Sequence, residues 1–154
     1  MATLSEILIC PTAKAPLQPV SSVAAVAGRG LRGDRYFLQA GSFNRRECFS
    51  HGRQVSLISL DAIALCNQRL GLALPAAAFR RNLVIAGLDV TRLLGQVFLI
   101  GEVWFKGLRH CHPCRLLGRL TGADMMAGLK GLGGIRAEIL GSGRLYVGDR
   151  VSVQ

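Results

Sequence analysis

Apolar stretches of strand length recur along this chain, each closed by a turn residue. Ile7-Leu8-Ile9-Cys10 ends at Pro11, and Val23-Ala24-Ala25-Val26 runs out at Gly28. Gln54-Val55-Ser56-Leu57-Ile58-Ser59 alternates polar and apolar positions, the period of a strand with one buried face. Asn82-Leu83-Val84-Ile85 leads into Gly87, and Val97-Phe98-Leu99-Ile100 into Gly101. Alternation returns from Glu102 to Arg109, again from Ile135 to Leu140, and in Leu145-Tyr146-Val147. Gly141-Ser142-Gly143 between the last two predicts a hairpin.

Helical spacing is rarer. Leu60 to Leu70 has Ser59 as an N-cap and Gly71 as a stop. A short Leu-rich helix is expected from Cys114 to Leu120, with another turn from Asp124 to Leu129. Many short strands, 19 glycines and few helices predict a mainly β chain, a β-barrel with a few short helices and antiparallel pairing. At 154 residues with no linker or repeat, residues 1–154 are expected to form one domain.

Half of the residues are hydrophobic and 18% are charged, which excludes a disordered tail. No apolar run approaches the ~20 residues of a membrane-spanning helix, and the N-terminus lacks the pattern of a signal peptide. A cytoplasmic location is therefore expected, and the odd count of five cysteines fits thiols or ligands better than a disulfide framework. The net charge of +10 rests on 16 Arg against 3 Lys. Arginine grips phosphate and carboxylate through a planar fork, so the partner is expected to be anionic.

Arg109-His110-Cys111-His112-Pro113-Cys114-Arg115 is the sharpest local cluster. Cys-x-x-Cys with interleaved His can bind zinc, form a redox pair, or place one reactive thiolate. A closed zinc site needs four ligands, and no second Cys-x-x-Cys exists; a thioredoxin-like pair needs a parallel α/β context. One cysteine flanked by Arg109 and Arg115 fits best, because nearby cations favour the thiolate. Phe79-Arg80-Arg81-Asn82 puts a fork of donors before a strand, and Gly28-Arg29-Gly30-Leu31-Arg32-Gly33-Asp34-Arg35-Tyr36 is a glycine-rich turn with charged groups. His51-Gly52-Arg53-Gln54 likewise sets polar donors ahead of a strand. The sequence contains no Gly-x-Ser-x-Gly elbow, P-loop or well-placed dinucleotide fingerprint.

Taken in order, these segments resemble the MOSC domain, the C-terminal module of molybdenum cofactor sulfurases that also occurs alone in bacteria. The resemblance runs through 30–35 (GLRGDR), 53–58 (RQVSLI), 79–89 (FRRNLVIAGLD), 93–101 (LLGQVFLIG), 111–114 (CHPC), 133–140 (GGIRAEIL) and 147–151 (VGDRV). It implies a β-barrel of the pyruvate-kinase type and one functional cysteine, which falls on Cys114. In relatives that reduce N-hydroxylated compounds, the matching cysteine ligates molybdenum held by a pterin dithiolene. Such proteins hold the pterin and its phosphate among basic and polar side chains.

The resemblance therefore implies the molybdenum cofactor (molybdopterin) as ligand, Cys114 as molybdenum ligand and catalytic centre, and an electron-donor or sulfur-donor protein as partner. Arg80 and Asn82 match the family's Arg and Asn, while Arg81 stands where some relatives have Pro. Arg35 and Arg136 are further candidate cofactor-binding residues, as is Cys111. Glycines 30, 33, 133 and 134 would let main-chain N–H groups approach an anion. Pyridoxal phosphate is not expected, because its domain is not within these 154 residues.

Two other functions fit the residues. One is a sulfur carrier with a persulfide on Cys114, which Cys111 could resolve as a disulfide. The other is a non-enzymatic basic barrel that binds nucleic acid or zinc. Aromatic content of 6% is thin for the stacking platforms of single-strand binders.

Overall fold

The computed structural model describes residues 1–12, 14–38, 54–112, 118 and 121–154. Eleven strands are present among these residues. They are β1 (Thr3–Ile9), β2 (Gln18–Val20), β3 (Ser22–Val26), β4 (Gly30–Leu31), β5 (Val55–Ser59), β6 (Leu83–Ala86), β7 (Val97–Ile100), β8 (Val103–His110), β9 (Ile135–Ile139), β10 (Gly143–Tyr146) and β11 (Val151–Val153). Helix α1 spans Leu60–Leu70 and α2 spans Met125–Gly128, with 3-10 turns at Ala76–Phe79 and Val90–Leu93.

Eight strands form one sheet in the order β11-β7-β8-β9-β5-β6-β1-β2, and β10-β3-β4 form a second. The large sheet curls until the segment entering β11 meets the start of β1. Leu4 N–H donates to Asp149 O at 2.8 Å, Gly148 N–H to Leu4 O at 2.8 Å, and Val151 N–H to Ala2 O at 2.9 Å. Alternating residues point into the curl, among them Leu4, Ile7, Phe98, Ile100, Val103, Phe105, Ile135, Ala137 and Ile139, all buried. Phe98 and Phe105, paired across β7 and β8, stack with centroids 5.4 Å apart, adding about 1 kcal/mol to their burial.

Helix α1 covers the outer face beside β5 and β6. Ile63 and Cys66 of the helix pack with Leu8, Ile58, Phe79, Val84, Met125 and Leu129 in a second apolar cluster. Strand β5 thus lies between two cores, and all five of its residues are buried. Its two serines remain satisfied, Ser56 by Asn82 and Ser59 by the N–H of Val90. The Ser59 hydroxyl is spent there and makes no cap bond to α1.

Two expectations are corrected. The pairing is not uniformly antiparallel, because β5 and β6 run parallel, joined through α1. Gly141-Ser142-Gly143 does not close a hairpin either. Both edges of β9 are taken, by β8 and β5, so β10 crosses to pair with β3. Ser142 Oγ accepts from Ala27 N–H at 2.9 Å and fixes that crossing. The helix expected at 114–120 lies outside the described residues, save for Gly118.

Candidate functional site

Three loops meet beyond the ends of β1 and β6. The first follows β4 and carries Asp34, Arg35, Tyr36 and Phe37, all buried. Asp34 is the node: Oδ1 accepts from Cys10 N–H at 3.1 Å and Arg35 Nη1 at 3.2 Å, and Oδ2 accepts from Tyr36 N–H at 3.3 Å. Burial raises the Asp34 pKa above the usual 3.8, and the Arg35 charge only partly offsets it. Arg35 also donates from Nη1 to Cys10 Sγ at 3.7 Å and from Nη2 to Tyr36 Oη at 3.3 Å.

The second loop is the 3-10 turn Ala76–Phe79 and its exit. Arg80 ends that turn in a left-handed conformation, φ 59°. This bend turns its side chain away from the sheet, where Nη2 donates to Cys10 Sγ at 3.8 Å and Nη1 to the Ala15 carbonyl. The next two side chains turn inward. Arg81 is buried and donates to three main-chain carbonyls: Gly133 at 2.8 Å, Phe79 at 3.4 Å and Cys111 at 3.4 Å. Asn82 is fully buried, donating to Leu8 O at 3.1 Å and accepting from Ser56 N–H and Oγ–H at 3.1 and 3.2 Å. Its amide knits β1, β5 and β6 together where their ends meet.

The third loop links the end of β8 to the start of β9. Cys111 N–H donates to Gly134 O at 2.9 Å, tying the Cys-x-x-Cys segment to the glycine loop before β9. Gly134 itself, at φ 87°, sits where any Cβ would collide with the Leu57 carbonyl of β5. Packing against β5 therefore demands that glycine. Arg136, at the start of β9, holds its guanidinium 5.4 Å from the Tyr36 ring centroid. His110 and His112 stack at 5.9 Å, and no three His, Cys, Asp or Glu gather as a metal cage among the described residues. Cys114, Arg115, His51 and Arg53 lie outside the described residues.

Positive charge dominates the place where these loops converge. Lys14, Arg35, Arg80, Arg81 and Arg136 surround or approach it, and Asp34 is the one buried carboxylate among the described residues. Burial, and then the neighbouring Arg35 charge, push Arg80 below the usual arginine range. A cleft of about 360 Å³ opens on Arg80, with Lys14, Thr121, Pro16, Leu17 and Leu74 in its wall and no carboxylate among the described residues. Lys14 and Arg80 are also the two non-glycine residues with left-handed φ among the described residues. Such conformations cost about 1–2 kcal/mol each, and here both lift cations onto one cleft.

Arg35, Arg80, Asn82, Cys111 and Arg136 thus share one neighbourhood. Their tasks differ from the fork of donors anticipated at the strand start: Arg80 alone of 80–82 faces the cleft, while Arg81 and Asn82 bind main chain. Cys10, Lys14, Tyr36 and Thr121 were not among the residues singled out for ligand binding. Lys14 follows a Pro-Thr-Ala turn with no periodic signal, and Cys10 reads as the last position of an apolar strand.

The fold closely matches several solved structures. YuaD from Bacillus subtilis superposes with a TM-score of 0.80 at 20% identity, covering 99% of this chain and 94% of that one. YiiM from Geobacillus stearothermophilus gives 0.73 at 17% identity, covering 100% and 75%. YiiM from Escherichia coli gives 0.67 at 15%, covering 100% and 70%. No sequence among the curated proteins matches. The family model of the MOSC domain matches residues 44–152, which takes in Arg80, Asn82, Cys111, Cys114 and Arg136, while the Asp34–Tyr36 loop lies ahead of it. On that match, the chain belongs to the MOSC domain family.

Proposed function

We propose that this protein binds the molybdenum cofactor, with Cys114 as the protein ligand to molybdenum and the anionic end of the pterin held at Lys14 and Arg80. One observation carries the proposal: two cations line a single cleft whose wall holds no carboxylate among the described residues. A phosphate-bearing ligand supplies the missing charge and fills donors left over on the guanidinium. A thiolate suits molybdenum because both are soft.

Within this arrangement the protein's own groups divide the work. Arg80 and Lys14 bind, Arg35 and Asn82 hold the loops that present them, and Arg81 fixes the Cys111 main chain ahead of Cys114. The cofactor would supply oxygen-atom chemistry, such as reduction of N-hydroxylated compounds with electrons from a partner protein.

Native mass spectrometry tests this on protein made in a host that synthesises the cofactor, beside Cys114→Ala. The expected result is an adduct of metal plus pterin in the first sample and its loss in the second. A single extra sulfur on Cys114 would favour a sulfur carrier instead. Unmodified protein in both, or a zinc mass, would overturn the proposal.

A further inference from the structure

Tyr36 is a buried phenol to which nothing above gives a task. Its Oη takes a hydrogen bond from Arg35 Nη2 at 3.3 Å, and the Arg35 Cζ stands 4.4 Å from its ring centroid. Arg136 approaches from β9, with Cζ at 5.4 Å. Two guanidiniums from different parts of the fold therefore converge on one ionisable oxygen. The charge of Tyr36 also acts on Arg80, the cation that faces the cleft.

We propose that Tyr36 is a pH-linked counter-ion for this site: where Tyr36 ionises, its phenolate balances Arg35 and Arg136, and an anion arriving at Arg80 favours the neutral phenol, Tyr36 Oη taking up one proton from water. The step is a protonation alone, with no bond other than O–H formed. It rests on the reading that the cleft at Lys14 and Arg80 takes an anion.

The charged and titratable neighbours of the phenol among the described residues bear on this balance. Burial opposes ionisation, and so does the Cys111 thiol after β8; Arg35 and then Arg136 favour it and prevail, holding the phenol below the usual value of 10.0. Asp34 accepts from the Tyr36 main-chain N–H and from Arg35, and Arg35 also donates to Cys10. An added anion beside these cations competes for the same field, so it must favour the neutral phenol. By linkage, the phenol form must then bind the anion more tightly than the phenolate form.

The chain has two tyrosines, and Tyr146 is exposed, so Tyr146→Phe leaves Tyr36 as the lone phenol. Its phenolate absorbance is titrated with and without saturating sulfate, whose charge is constant over the range. Sulfate affinity is measured by calorimetry over the same pH range. The expected result is a midpoint below 10.0 without sulfate and a rise of about one unit with it, equivalent to roughly tenfold in affinity. The added substitution Tyr36→Phe should flatten the pH dependence of sulfate binding across that window, leaving only the part carried by Lys14 and Cys10. A midpoint at or above 10.0 without sulfate, or one that bound sulfate does not move, would overturn the counter-ion role and leave the anion site standing. Absence of sulfate binding at every pH would overturn both.

Discussion

Arg35 Nη2 donates to the carbonyl oxygen of Arg80 at 3.4 Å, so one buried guanidinium braces the left-handed turn from which another is presented. The brace is built from the main chain of Arg80, and the side chain is left to face the cleft. Backbone strain and cleft-facing charge are thus carried by the same residue.

Glycine and alanine at position 80 separate those two burdens. Both substitutions remove the guanidinium, and sulfate affinity should fall about tenfold or more in calorimetry. Arg80→Gly tolerates φ 59° without strain, so urea denaturation should find it about 1 kcal/mol more stable than Arg80→Ala. Equal stability would show that the turn relaxes when the side chain is lost.

Asn82 is spent on main chain, and its replacement is first a stability question. Asn82→Leu strands Leu8 O and Ser56 N–H inside the protein, at a cost of about 2–3 kcal/mol by urea denaturation. Wherever the variant remains folded, sulfate affinity should stay within about twofold of the parent. A selective loss of sulfate binding with unchanged stability would instead make Asn82 a ligand contact.

Asp34 gives a pH dependence of definite sign. Its folded pKa is raised above 3.8, so between that value and the higher one the folded protein holds a proton that the unfolded chain has released. Its stabilising contribution is full below 3.8 and is lost as pH rises through the folded value. Urea midpoints measured upward from pH 3.8 should show this decline, and Asp34→Asn should flatten it. The comparison variant keeps one acceptor oxygen, which limits collateral damage to the Cys10 and Tyr36 amides.

Gly134→Ala should be among the costliest single-atom changes in the chain. The added methyl meets the Leu57 carbonyl at a left-handed φ, and the same residue's carbonyl anchors Cys111. A loss of roughly 3 kcal/mol or more is expected by denaturation. Hydrogen exchange at the Cys111 amide should accelerate in parallel.

Periodicity was most informative where an element is governed by its own turn chemistry. Val97–Ile100 has the bounds that its apolar run predicts, and α1 stops where Gly71 supplies a left-handed cap at φ 65°. Neighbour choice was less legible. The glycine turn at 141–143 suits a hairpin locally, but β9 is claimed on both sides by strands far away in sequence. The site shows the same division. A polar residue ahead of a strand is needed both to grip a ligand and to close the ends of neighbouring strands, so Arg80 and Asn82 looked alike. Their difference arises from one left-handed residue, which reverses the direction of the chain between them.

The crossing of β10 to β3, together with the seam between Leu4 and Asp149, gives this barrel an unusual assembly order. Arg144 reaches the Ser22 hydroxyl at 3.0 Å across 122 positions of sequence. On the ribosome, β1 and β3 emerge well over a hundred residues before these partners. High contact order of this kind slows folding, because long loops must close before the pairing rewards them. The nascent barrel is therefore open along β3 and the N-terminal half of β1 until β10 and the segment entering β11 have been made.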